Sequence, residues 1–400
     1  MSEAERIAAL CRGVLELGWR EGEQGGTPYA FGAPSPGRYP WQWYWDSCFH
    51  AIVRRRFDRD RSRRELESLL AAARDGFIGH VTFWGQPLNL ERALRYNIAR
   101  RDDPMTSTIQ PPLLAWAWRI AVGDPAGHPG IEAHHGWLRD HRDLDGDGLL
   151  WLIQPDESGL DASPKFDHVW GAHAQGRPGF PLLIRRNRRL GFDARRVQGA
   201  GRPVLCEVVT NVLWSLAEQA LGRPSPTPAL VARLWHEAEG RFLDVARHPR
   251  RDLPPARRPL TWDTLAPLAL PDLPEAIGRR LVEETLLDRQ RFWDGVPLAS
   301  VALCDPAHTS RDRYWGLRRY WRGPSWVNAA WLAWIGLRRL GHVPEAEAMA
   351  ARLGAVVTRE GLREYYEARS GRGMGAREFG WSTLVWEMID PAPEAGASYL

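Results

Sequence analysis

The chain has 400 residues, 44% hydrophobic and 26% charged, a globular composition with enough apolar material for a sizeable core. Its net charge of +4 comes without any basic block interleaved with aromatics, which excludes a nucleic-acid groove. No run approaches the roughly 18 uncharged apolar residues that would span a membrane.

Two features stand out from that average: 21 tryptophans, and a basic complement that is almost wholly arginine, Lys165 being the only lysine. An indole offers a flat apolar face and one N–H donor, a surface suited to sugar rings, though most of so many indoles belong in a core. Cys11, Cys48, Cys206 and Cys304 are scattered, with no C-x-x-C and no histidine at zinc spacing, as expected of a reduced protein. The N-terminus lacks a basic region followed by an apolar run, so the expected compartment is the cytoplasm.

Along the chain, Ser2 with Glu5 forms a capping box ahead of Ile7, Leu10, Val14 and Leu17, which share a helical face. Next comes Pro40-Trp41-Gln42-Trp43-Tyr44-Trp45-Asp46-Ser47, where three indoles and a tyrosine run into an acid. Asp46 reads as the N-cap of a following helix. The same carboxylate could hold sugar hydroxyls while Trp45 stacks on the ring. Ser62 with Glu65 repeats the capping pattern before Leu66, Leu69 and Leu70, and Thr227-Pro228 opens a helix through Leu230 and Leu234. Further helical patterns cover 106–122, 207–221, 274–290, 324–340, 344–357 and 380–389. Pro- and Gly-rich connections at 21–40, 123–130, 171–181, 199–203, 222–228, 248–259 and 294–313 separate them, and none carries the composition shift of a domain boundary. Strand signals are few. The expectation is one all-α domain over 1–400, built from about ten to twelve helices. A toroid of paired helices with its site in the loops at one end is one arrangement, and an α-solenoid is the other.

Acidic residues mark three loops. Asp143-Leu144-Asp145-Gly146-Asp147-Gly148 copies the first half of a calcium loop, but the twelfth position is Gln154 rather than a bidentate glutamate, so a Gly/Asp turn without metal is expected. Gln154-Pro155-Asp156-Glu157-Ser158-Gly159-Leu160-Asp161 places three acids among helix breakers, which lets a loop aim carboxylates into a cavity. Near indoles, desolvation raises the pKa of such an acid toward that of a working general acid. Some 200 residues later comes Glu364-Tyr365-Tyr366-Glu367, before a glycine-rich stretch; the acids share a face if helical and oppose if extended. Two carboxyl groups from distant segments are what glycosidic bond cleavage requires, one to protonate the leaving oxygen and one to direct water or attack. Arg319-Tyr320-Trp321-Arg322-Gly323-Pro324-Ser325-Trp326 could supply two aromatic walls. His50, His134 and His135 have no metal-like partner set and read as packing or surface residues. There is neither a G-x-S-x-G elbow nor a phosphate-binding glycine loop.

Taken in chain order, Trp45-Asp46-Ser47, Glu157-Ser158-Gly159-Leu160-Asp161, Trp321-Arg322-Gly323-Pro324-Ser325-Trp326, Glu364-Tyr365-Tyr366 and Phe379-Gly380-Trp381-Ser382 resemble the (α/α)6-barrel glycosidases of glycoside hydrolase family 63. The resemblance implies an all-α (α/α)6 toroid and an inverting hydrolase without cofactor, with Asp161 as general acid and Glu364 as general base. Inversion predicts a carboxyl separation of roughly 6.5–9.5 Å. Glu157 and Glu367 become supporting residues. Trehalases are similar at the first and last segments, but carry an Asp-Tyr-Pro core where this chain has Arg322-Gly323-Pro324. The short barrel-only members look most alike, which implies a small-molecule substrate: mannosylglycerate, or glucosylglycerate, each with a glycerate carboxylate. By that similarity Trp45, Asp46 and Trp326 line the sugar subsite, Gln110, Tyr320 and Trp321 meet the glycerate end, and Trp381 is a further substrate-side indole. Arg202 and Arg177 are the candidates for the carboxylate. Neither nucleic acid nor membrane is an expected partner, and self-association is left open. The rivals are a trehalase-like or oligosaccharide-trimming α-glucosidase and a catalytically silent sugar-binding toroid.

Overall fold

The computed structural model describes residues 2–85, 97–99, 104–171, 179–314, 317–318 and 320–392. Among these, six helical segments form an inner ring: Tyr44–Arg54, Leu114–Ala121, Val208–Ala220, the 3-10 helix Trp262–Ala269, Val327–Arg339, and the 3-10 turn Gly380–Leu384 that runs into Val385–Ile389. Each packs on the next and the last packs back on the first, so the ring closes. Outside it, Arg59–Ala72 lies on the first member, Thr227–Leu234 on the third, Glu275–Leu281 on the fourth, Val343–Glu360 on the fifth and Glu3–Gly18 on the last. The fold is an (α/α)6 barrel.

The two layers carry different sequence patterns because they meet different surroundings. Every residue of Tyr44–Arg54 and of Trp262–Ala269 is buried, so these ring members have no polar stripe. The outer helix Val343–Glu360 instead buries Ala346, Met349, Ala350, Leu353, Val356 and Val357, a stripe at helical spacing. A continuous apolar cluster from Ile7 to Met388 fills the space between layers.

Several expected boundaries shift for identifiable reasons. The pattern at 106–122 yields a helix only over Leu114–Ala121, since Pro111 and Pro112 lack the N–H groups an earlier start would need. Ser62 caps nothing: the helix starts at Arg59 with Asp58 accepting from the Arg61 N–H, and Ser62 donates to the Ala51 carbonyl. Asp46 is not an N-cap either, because Tyr44–Arg54 already begins two residues before it, with Trp43 as the cap. The 274–290 pattern holds as an α-helix through Leu281, then widens over Val282–Leu286 and breaks before Arg289–Trp293. Pro129–Arg142 is a helix that no expected segment included. Strands are short, as expected; the longest pair, Trp19–Gln24 with Thr27–Gly32, is a hairpin that follows directly on the first helix and enters the 21–40 connection.

Closure brings ring neighbours close at Gly336. A Cβ there would stand 2.3 Å from Leu268 Cβ and 2.7 Å from the Leu268 carbonyl oxygen. Gly336→Ala is therefore expected to lower stability by about 1–3 kcal/mol through overpacking, despite the better helix propensity of alanine. Denaturant unfolding monitored by tryptophan fluorescence checks this; equal or higher stability would contradict so tight a contact.

Candidate active site

The cavity at one end of the barrel is built from residues that precede or open ring helices. Trp43, Trp45 and Asp46 come from the start of the first, Gln110 from just before the second, Tyr320 from the segment before the fifth, and Phe379 and Trp381 from the start of the sixth. Connecting segments add Pro34, Tyr39, His80, Gly159, Asp161 and Glu364. The space inside, out to its solvent-open mouth, is about 520 Å³. Asp161 and Glu364, 203 residues apart in sequence, thus face one cavity.

Glu364 lies on the strand Arg363–Tyr366, which pairs with Gly373–Arg377. That settles the local alternative as extended. Its Oε1 accepts from the Tyr39 hydroxyl at 3.0 Å and from the Tyr320 hydroxyl, and its Oε2 accepts from the Ala376 N–H at 2.8 Å. Burial raises the Glu364 pKa, while the hydrogen bonds from Tyr320 and Ala376 act in the opposite direction. Gly375 has φ +70°, and a Cβ there would come within 2.5 Å of Glu364 Oε2, so glycine is required on both counts. The Arg38 guanidinium, 5.4 Å from the Tyr39 ring centroid, brings a positive charge beside this group.

Asp161 ends the acidic loop. Its carbonyl accepts from the Trp321 N–H, and the next residue, Ala162, has φ +62°, a left-handed conformation that is uncommon outside glycine. Gly159 lets the loop approach the Trp45 ring, which a Cβ would meet at 2.5 Å. Asp46 is buried, its Oδ1 has no hydrogen-bond partner among the described residues, and burial followed by the Glu364 charge raises its pKa well above the usual range. Gln110 is oriented by accepting from the Trp45 N–H at 3.0 Å.

Five expected site residues do not line the cavity. Glu157 is fully buried and already saturated: Arg142 donates at 2.9 and 2.5 Å, and the N–H groups of Ile109 and Ile153 donate at 3.2 and 2.8 Å. It holds the acidic loop and the Gln110 segment together. Trp321 and Trp326 stack on one another at 3.8 Å behind the wall, with Trp326 against Tyr320, Tyr365 and Trp381. They support the aromatic wall rather than form it. Arg202 is exposed and lines a different cavity with Arg186 and Arg250; Arg177 lies outside the described residues. Glu367 turns away and caps its own turn, accepting from Ser370 N–H and hydroxyl at 2.6 Å.

Sequence reasoning missed Tyr39, Trp43 as a wall residue, His80 and Phe379. Trp43 and Phe379 stood inside recognised segments. Tyr39 and His80 carried no local signal, since pairing of Gln42–Trp43 with Val81–Thr82 is what brings His80 against Trp43. Burial pushes the His80 pKa down to about 3, so the ring is neutral. The three histidines read as packing or surface residues are all buried: His50 on Glu65, His134 between Tyr44 and the Gly76 carbonyl, and His135 on Glu218. In the calcium-like turn, Asp143 accepts backbone N–H groups from Asp145 to Gly148, and Asp145 pairs with Arg233 and Arg247, so these carboxylates are committed internally.

Over residues 39–223 and 222–382 the sequence matches the mannosylglycerate hydrolase MGH1-like glycoside hydrolase domain. The chain belongs to this family. It is similar to the mannosylglycerate hydrolase of Thermus thermophilus, 27% identical, with 89% of this chain and 95% of that protein aligned. The glucosylglycerate hydrolase of Mycolicibacterium hassiacum is also 27% identical, over 88% of this chain and 92% of that protein. The crystal structure of a GH63 mannosylglycerate hydrolase from Thermus thermophilus in complex with glucose superposes with a TM-score of 0.75 at 26% identity, covering 96% of this chain and 99% of that one. This family relationship establishes the chain as a glycoside hydrolase.

Behind Asp161, Asp156 is fully buried and its pKa is pushed up to about 8 by burial and by the charges of Asp161 and Glu157. It contacts the Asn97 amide, whose own Oδ1 has no partner among the described residues. Turning that amide over lets a protonated Asp156 donate to Asn97 Oδ1. A carboxyl group with a folded pKa near 8 and an ordinary value of 3.8 binds more protons folded than unfolded between those limits. Its contribution to stability therefore falls as pH rises through that window. The melting temperature of Asp156→Asn relative to the parent is expected to increase from pH 4 to pH 8; a difference that stays flat or falls would show Asp156 to be ionised.

Proposed function

We propose that this protein is an inverting α-glycoside hydrolase of mannosylglycerate, releasing mannose and glycerate, and that it acts on glucosylglycerate as a second substrate. It works as one catalytic domain in the cytoplasm, on a small-molecule substrate. The observation that carries the reading is the pair Asp161 and Glu364 facing one aromatic-walled cavity. The names of its relatives supply the substrate class.

In this mechanism the hexose lies between Trp43, Trp45 and Trp381, and the open Oδ1 of Asp46 accepts a sugar hydroxyl. Asp161 protonates the glycosidic oxygen as the bond to the anomeric carbon breaks. Glu364 takes a proton from the water that attacks the opposite face. The three donors on Glu364 hold it in one orientation and favour its ionised form. Gln110 and Tyr320 line the cavity toward the glycerate end, while the Arg38 charge lies beside Tyr39 and Glu364, on the side of the attacking water. A trehalase-like specificity is disfavoured by Arg322-Gly323-Pro324 and by the glycerate-specific names of the relatives.

The deciding assay is product analysis on mannosylglycerate, glucosylglycerate and trehalose, with the anomer followed by proton NMR. Initial release of the β-anomer from an α-glycoside is expected; the α-anomer would contradict direct displacement. Asp161→Asn and Glu364→Gln are each expected to lower kcat by about 10²–10⁴-fold with the fold intact. Near-normal turnover in either would remove that residue from its role. Tyr320→Phe withdraws a donor from the Glu364 carboxylate, so the acid limb of kcat/KM is expected to move to higher pH. A shift to lower pH would contradict Glu364 as the base.

A further inference from the structure

The only lysine of the chain is buried four residues beyond Asp161, enclosed by three carboxylates. Its Nζ stands 2.5 Å from Glu207, 3.0 Å from Asp263 and 3.1 Å from Asp244. All three acids are buried, and their oxygens lie within 4.8 Å of one another, a spacing that would suit a metal ion. Here the ammonium supplies the central cation. Its three donors radiate from one small atom toward acids on three different segments, which a flat guanidinium fork would fit poorly. The exception to an otherwise all-arginine basic set therefore has a geometric reason.

The three partners are part of the barrel frame. Glu207 caps the ring helix Val208–Ala220 by accepting from the Val209 and Thr210 N–H groups at 3.1 and 2.6 Å. Asp244 accepts from the Val208 N–H at 3.0 Å. Asp263 belongs to the first turn of the next ring member, Trp262–Ala269. Lys165 itself sits in the short 3-10 turn Pro164–Phe166 that follows the Asp161 loop. Arg322 ties the same segment at Asp167. We propose that Lys165 is a positioning residue for Asp161, its ammonium fastening the acid-bearing loop to the starts of two ring helices. Without that cation the loop would keep its Glu157 anchor upstream and, downstream, only the Arg322–Asp167 pair, while three buried carboxylates would repel each other. Consistent with that crowding, burial raises the Asp244 pKa to about 7, against the lowering effect of Lys165.

This inference rests on Asp161 being the general acid, and leaving-group dependence separates the two. A glyceryl leaving group needs a proton from the acid, whereas fluoride departs from α-mannosyl fluoride as an anion without one. Asp161→Asn is the reference: a selective loss on mannosylglycerate with fluoride hydrolysis largely kept identifies the acid, and equal losses on both would overturn that assignment itself. Lys165→Met is then expected to lower kcat on mannosylglycerate by about 30-fold or more, with KM within about 3-fold and fluoride hydrolysis within about 3-fold. Asp263→Asn, which removes one carboxylate and leaves the ammonium paired, is measured beside it and carries the test if Lys165→Met fails to fold. It is expected to show the same selectivity at a smaller size. If Asp161→Asn shows the selective loss while the folded cluster variants lose both activities equally, or neither, Lys165 does not act through the acid.

Discussion

A carboxylate taken out of water needs donors, a cation or a proton, and this barrel assembles its chemistry around several such groups at once. Each is satisfied differently. Glu364 receives two phenol hydroxyls and a backbone N–H. Glu157 receives a bidentate arginine and two backbone N–H groups. Burial and the charges of Asp161 and Glu157 raise the Asp156 pKa to about 8, which favours its protonated form. Asp46 alone among these keeps a buried oxygen open in the cavity. The distribution of donors thus separates acids that maintain architecture from acids available to a ligand, a distinction that charge and spacing alone do not contain.

The ring geometry makes this distribution possible. Because Trp43, Trp45, Asp46, Gln110, Phe379 and Trp381 open ring helices or immediately precede them, their backbone positions are fixed by the packing of helices that are buried on nearly every side. Helix starts also carry partial positive charge, which favours an acid such as Asp46 in the first turn. The connecting segments hold less common conformations: Ala162 and Tyr320 have φ +62° and +39°, one beside Asp161 and the other on Glu364. Such backbone persists only where its surroundings over-determine it. Ion pairs from Arg142, Lys165 and Arg322 flank the Asp161 loop and provide that determination.

Much of this was legible in the sequence at the level of segments. Acids among helix breakers beside indoles, met in family order, led to Asp161, Glu364, Asp46, Trp45, Gln110, Tyr320 and Trp381, all of which line the cavity. What failed was the separation of wall from support. Trp321 and Trp326 look like binding indoles because aromatic residues beside a Gly-Pro turn look alike whether they face a cavity or each other. Glu157 resembles a catalytic acid until Arg142, fifteen residues upstream, is seen to neutralise it. Tyr39 and His80 depend on contacts between segments far apart in sequence, so no window could reveal them. The outer helix Val343–Glu360 was readable from its apolar stripe, whereas Trp262–Ala269, buried on all sides and short, had no periodicity to read.

The way the ring closes also bears on how the protein is made. Its first member, Tyr44–Arg54, finds its second neighbour only in Gly380–Leu384, more than three hundred residues later. During vectorial synthesis the aromatic face carrying Trp45 must wait for nearly the whole polypeptide, exposed or held in provisional contacts. Glu364 and its hydroxyl donor Tyr39 come together over a comparable separation. Catalytic competence is therefore a late event in biogenesis: a nascent chain halted anywhere before the last ring member has one wall of its cavity missing.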